Sequence, residues 1–233
     1  MQLPLSLDGQ VLPDLDTLAG PQADAVRAAV ANLLAVPGSR LMLAGVRGAG
    51  KSHALAASCR AAAEHGLRAA LVPLADPQFA DARALDDVWQ CDLVCIDDIQ
   101  VIAGDRAREV ALFNCYNECE AHGTRLLLGA RATPGELRLS LPDLTSRLTA
   151  CVVLQMTPLD DDALARMLEA RAHALGFALP AAASDYLLQR VSRDPHDLER
   201  MLARIADLSL SEKKPVTVAA VRGWLKAGAL AEP

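Results

Sequence analysis

The chain is poor in aromatic residues, with two Trp, two Tyr and three Phe among 233 positions. Its core must therefore be filled by Ala, Leu and Val. Basic residues are also in the minority, 23 Lys and Arg against 29 Asp and Glu, for a formal net charge of −6. The positive footprint that non-specific nucleic-acid binding requires is missing from this balance. No apolar run approaches the ~20 residues needed to cross a bilayer. The opening MQLPLSLDGQ has no basic n-region and contains Asp8, so it does not read as a secretory signal, and the cytoplasm is the expected compartment. Zinc-knuckle spacing is absent too. Cys59, Cys91, Cys95, Cys115, Cys119 and Cys151 include two pairs four residues apart, one entering an apolar strand-like run and one on a predicted helix. They read as reduced thiols in or near the core.

The hydrophobic fraction is 52% and the charged fraction 22%, which describes a globular chain of one or two domains. Residues 1–13 read as a leader closed by Pro13. Apolar periodicity predicts helices over 21–34, 51–65 and 107–121, with stop signals at Pro37–Gly38, Gly66 and Gly123. Short apolar runs predict strands over 41–44, 69–74, 92–96, 125–128 and 152–156. Strands alternating with helices predict an α/β domain with a five-stranded parallel sheet covered on both faces. After Pro158 the pattern changes to four helical stretches, 160–175, 181–191, 195–208 and 217–227, with no strand between them. The expected organisation is a leader over 1–13, an α/β domain over 14–157 and an all-α domain over 158–233.

Residues 45–52, GVRGAGKS, fit the pattern G-x-x-x-x-G-K-[ST] without exception. At average composition this pattern arises by chance in about one chain in a hundred of this length. It also lies after a predicted strand and opens a predicted helix. There, glycines let the backbone turn its N–H groups inward and the helix N-terminus favours an anion. The expected nucleotide-binding residues are Gly45, Gly48, Ala49, Gly50, Lys51, Ser52 and His53, with Lys51 on the β- and γ-phosphates and Ser52 on Mg²⁺. LVCIDD, residues 93–98, supplies an apolar strand ending in two carboxylates. Asp97 is the expected second Mg²⁺ contact, and Asp98 the residue that orients or deprotonates an attacking water. Arg147, in SLPDLTSRL before the fifth strand, is either a surface arginine or a charge-neutralising one.

With these motifs in place, the chain resembles the AAA+ class of P-loop ATPases, and within it the bacterial replication initiator DnaA. The likeness runs from about Leu15 to Leu225. DLDTLAG resembles the segment that begins the family's nucleotide pocket, and IDDIQVIAGD with ALFNCYNE resembles its acidic strand and following helix. LPDLTSRL resembles its arginine-finger segment, which makes Arg147 the matching finger. PLDDDALARMLEARAHALGFALP with DPHDLERMLARI resembles its helical lid. A chain with these boundaries, lacking the initiator's N-terminal domain and its helix-turn-helix DNA-binding domain, is similar to the Hda family of regulatory inactivators of DnaA. That resemblance implies a module bound to the sliding clamp that stimulates hydrolysis of initiator-bound ATP and so blocks re-initiation. It implies bound ADP or ATP with Mg²⁺, weak intrinsic ATPase activity and a homodimer.

By composition alone, the alternating Leu3, Leu5 and Leu7 fit an edge strand, a frayed tail or a peptide docked in extended form. The family's Gln-Leu-x-Leu clamp-binding motif matches Gln2, Leu3, Leu5 and Leu7. Two positions depart from the initiator pattern. Gly129, Ala130 and Arg131 stand where a small polar sensor is expected after the fourth strand. His196, with Arg193 three residues earlier, stands where the lid offers a nucleotide-sensing arginine. Two further functions fit the same motifs, an autonomous helicase-loader-like ATPase and a non-enzymatic adaptor ordered by its nucleotide.

Overall fold

The structure is a computed structural model and describes residues 13–191 and 194–230. It divides into two compact units, residues 1–158 and 159–233. The first unit is built on strands β1 (Arg40–Ala44), β2 (Ala69–Pro73), β3 (Leu93–Asp97), β4 (Arg125–Ala130) and β5 (Val152–Gln155). They form one sheet in the order β2-β3-β4-β1-β5, and every pairing is parallel. The strands read as continuous apolar runs because a parallel sheet is covered on both faces.

Alternation along the strands divides the core. Met42, Val94, Ile96, Leu126 and Leu128 pack with α3 (Arg106–His122) and α4 (Pro142–Thr149). Leu41, Leu43, Leu93, Cys95 and Leu127 pack with α1 (Ala23–Ala35) and α2 (Lys51–Glu64). A period of two thus sends successive side chains into different layers. Helix α3 is set by chemistry at both ends. The Asp105 carboxylate accepts from the N–H groups of Ala107 and Arg108, and Gly123 takes the left-handed conformation past the last turn.

Two features depart from the sequence reading. Helix α4 lies where only a segment preceding the fifth strand was expected, and Pro142 opens it at the first helical position. The stretch between β2 and β3 holds three single-turn 3₁₀ helices, Pro77–Phe79, Ala82–Leu85 and Val88–Gln90. Asp76 and Asp81 cap the first two, each accepting a backbone N–H at 2.9 Å. Turns this short leave no 3.6-residue periodicity to detect.

The second unit contains α5 (Asp161–Ala174), α6 (Ala181–Leu188), α7 (Pro195–Glu212) and α8 (Val218–Lys226) around Leu168, Leu187, Leu202, Ile205 and Val221. Asp160 caps α5 and Thr217 caps α8 through their side-chain oxygens. Among the described residues, no helix is long and apolar enough to cross a membrane. Five cysteines are buried and Cys91 is half-buried; all are free thiols.

One buried charge joins distant parts of the first unit. Glu109 on α3 is fully buried. Its carboxylate accepts from the N–H groups of Gly104 (2.8 Å), Ser140 (3.0 Å) and Leu141 (2.7 Å). Burial pushes its pKa up, but the donors at Ser140, Gly104 and Leu141 outweigh that effect and leave it below the ordinary carboxylate value. The folded state therefore binds this proton less readily than the unfolded chain does. The stabilisation is complete above the unfolded carboxylate's pKa and is lost as pH falls through the folded value. Glu109→Gln should cost about 1.5–3 kcal/mol at neutral pH. Urea melts at pH 7 and near pH ~4 should show the gap between variant and wild type narrowing at the acidic end.

Candidate functional site

The loop leaving β1 runs directly into α2. Gly48 and Gly50 adopt φ of 81° and 87°, so two positions use the conformation that glycine takes at no steric cost. Gly45 has a different reason to be glycine, since a Cβ there would collide with the backbone carbonyl of Met156 at the end of β5. Ala49 is buried under the loop. Lys51 is only 7% exposed, and its ammonium donates to the carbonyls of Gly45 (2.7 Å) and Val46 (2.8 Å). Burial pulls its pKa down, the Asp97 and Asp98 carboxylates oppose that, and the Arg131 guanidinium adds to it.

The acidic pair ends β3, one strand removed from β1, with β4 between them. Asp97 crosses that gap. Its carboxylate occupies the space a Cβ of Gly129 would fill on β4, in register beside Leu43 of β1. It accepts the N–H of Asp98 at 2.8 Å, and the Ser52 hydroxyl at the start of α2 is near enough to favour its ionised form. Burial raises the Asp97 pKa and the Asp98 charge adds to the rise; Ser52, the Asp98 N–H and Lys51 oppose it. Gly129 is thus the residue that lets the acid reach the loop, which accounts for one of the two departures in the sequence. Asp98 itself is held at φ 58°, a left-handed conformation uncommon outside glycine.

Gln100, Arg131 and His53 complete the surroundings. The Gln100 amide donates to Asp98 Oδ1 at 2.6 Å, while its carbonyl oxygen accepts the Arg131 N–H at 2.9 Å. Arg131 Nε lies 3.9 Å from the same Asp98 oxygen. Gln100 sits two residues after the acidic pair, and that spacing was the one signal available for it. His53 turns to the segment before α1, where its Nε2 is 3.0 Å from Thr17 Oγ1 and 3.4 Å from the Asp14 carbonyl oxygen. Arg60 pairs with Asp14, and Arg27 donates to the carbonyls of Leu15 and Leu18. These contacts fix the DLDTL segment against the loop's helix.

Arg147 is not part of this constellation. It lies in the last turn of α4, where its guanidinium pairs with Glu120 at 2.8 Å and lies 5.8 Å from the centre of the Tyr116 ring. Glu120 also pairs with Arg40, the residue that opens β1, at 2.9 Å. Arg147 therefore sits by the amino end of the strand whose carboxyl end carries the loop. The Gln2, Leu3, Leu5 and Leu7 peptide and Arg193 lie outside the described residues, as does the side chain of His196 on α7.

A strand–glycine loop–helix with a buried lysine, an acid reaching the helix start and a separate helical unit define the class as an AAA+ α/β domain with a C-terminal helical lid. Residues 160–225 match the family described as Hda, lid domain. Domain III of the Thermotoga maritima replication initiation protein DnaA has the same fold, with a TM-score of 0.78, 18% identity and coverage of 94% of this chain and 97% of that one. AMPPCP-bound DnaA from Aquifex aeolicus gives a TM-score of 0.65 at 19% identity over 86% and 68%. The Thermotoga maritima RuvB Holliday junction branch migration motor gives 0.67 at 18% over 92% and 71%. The chain thus carries a segment that matches the Hda lid family and has the fold of DnaA domain III.

Because Gly45 faces a backbone carbonyl that cannot rotate away, Gly45→Ala should destabilise the first unit by about 1–3 kcal/mol. Gly135→Ala, with nothing within 4 Å of the added Cβ, should stay within about 0.5 kcal/mol of wild type. Paired thermal melts test the contrast.

Proposed function

We propose that this chain is a nucleotide-holding regulator of a DnaA-type replication initiator, which acts by lending Arg147 to the initiator's ATP site. The observation that carries the reading is the separation of two functions within one unit. A phosphate cradle closes one end of β1, and an arginine anchored on Glu120 stands by the other.

Bound nucleotide and Mg²⁺ would supply the anionic charge and the cation that such a cradle is built to hold. Gly45, Gly48, Ala49 and Gly50 would present backbone N–H groups to the phosphates. Lys51 would exchange its two loop carbonyls for phosphate oxygens. Ser52 and Asp97, which lie close enough to influence each other, would hold Mg²⁺. Asp98 would orient a water. His53 would brace the pocket's edge through Thr17, and His196 matches the family's nucleotide-sensing position in sequence. ADP or ATP fits this donor set equally.

The match of residues 160–225 to the Hda lid supports the initiator as partner. In the family's manner, Gln2, Leu3, Leu5 and Leu7 would form an extended peptide docked on the sliding clamp, with glutamine as the polar handle and the leucines as apolar anchors. A module addressed to a ring on DNA needs no basic surface of its own, which agrees with the net charge of −6. A homodimer belongs to the same reading.

The test is reconstituted hydrolysis of initiator-bound ATP with DNA-loaded clamp. Arg147→Ala should remove the stimulation, a loss of roughly 10³-fold or more if it acts as arginine fingers do, while its nucleotide affinity matches wild type. Gln2→Ala should weaken clamp binding with the melting temperature unchanged. Lys51→Ala should lose nucleotide binding. Full stimulation by Arg147→Ala would overturn the mechanism.

A further inference from the structure

We propose that Gln100 and Arg131 form a latch on Asp98 that slows hydrolysis in this chain's own site, so that bound nucleotide is kept rather than turned over. The inference rests on the nucleotide-holding reading above and adds the residues that restrain its chemistry.

Two contacts converge on one oxygen. Asp98 Oδ1 accepts the Gln100 amide N–H at 2.6 Å, a short charge-assisted bond, and faces Arg131 Nε at 3.9 Å. Gln100 does not donate in isolation, because its other end is fixed by the backbone N–H of Arg131 at 2.9 Å. The amide therefore bridges the loop after β3 and the loop after β4, and each end holds the other in place. The Asp98 backbone is left-handed, a conformation aspartate adopts more readily than most non-glycine residues.

To promote hydrolysis, Asp98 must take a proton from a water as the water's oxygen bonds the terminal phosphorus and the bond to the leaving phosphate oxygen breaks; the proton then passes to solvent. A carboxylate oxygen already engaged by an amide and faced by a guanidinium is occupied when the water arrives. It is also aimed by those partners rather than by the water. Arg131 further stands close enough to Lys51 for their charges to oppose. Gln100 and Arg131 are positioning residues, acting through Asp98.

The experiment uses the full chain. Affinities for ADP and AMPPCP are measured by calorimetry, melting temperatures are measured without nucleotide, and hydrolysis of stoichiometrically bound ATP is followed in a single turnover. Gln100→Ala should raise the single-turnover rate ~10-fold while the ADP Kd stays within about twofold. Arg131→Ala should raise the rate in the same direction. The two together should do no more than either alone, because they act as one device. Gln100→Asn, which keeps an amide on a shorter stem, should give an intermediate rate. Adding Asp98→Asn to Gln100→Ala should abolish the gain. An unchanged or reduced rate in Gln100→Ala, with ADP affinity intact, would overturn the latch while leaving nucleotide holding in place. Wild-type protein that binds neither nucleotide would overturn both.

Discussion

In a sheet ordered β2-β3-β4-β1-β5, the strand carrying the phosphate loop and the strand carrying the acids are not neighbours, and β4 stands between them. Everything at the site depends on bridging that gap. Asp97 does so with one side chain, passing over Gly129 to the Ser52 hydroxyl at the start of α2. A methyl group at position 129 would occupy the path. The acid is nearly buried as a result, at 4% exposure, and would bear the cost of burial alone without Ser52, the Asp98 N–H and the nearby Lys51. The buried lysine, in turn, is satisfied by the loop it closes.

A second buried carboxylate organises the opposite face. Glu109 gathers three backbone N–H groups from the turn at Gly104 and the residues leading into α4. It thereby ties the loop that follows the acidic pair to the helix that carries Arg147. The molecule thus uses charge in two ways. At the glycine loop, the Lys51 charge is held by two carbonyls of the loop itself. At Glu109, the charge is saturated and holds backbone.

Much of this was legible in the sequence, for reasons that differ from one element to another. The central strands showed as apolar runs because a parallel sheet covered on both faces buries nearly all of their residues, and GVRGAGKS showed because phosphate geometry restricts residue type at fixed spacing. Helix α4 did not show, since eight residues give barely two turns of periodicity, and the 3₁₀ turns before β3 gave none. Gly129 looked like a missing sensor until its neighbour across the ladder was known. Gln100, Glu109 and Glu120 could not be found from spacing alone, because each owes its role to a residue 27 to 32 positions away that only the fold brings near. Their identities carried no signal, as glutamines and glutamates on helices are mostly solvated.

The Arg40–Glu120–Arg147 cluster also gives the module a direction. The glycine loop at one end of β1 and the arginine by the other are a head and a tail. A contact that joins the tail of one molecule to the head of the next runs on from copy to copy unless a twofold axis makes it reciprocal. Polarity of this kind means that a one-sided contact made at either end leaves the other end unmatched.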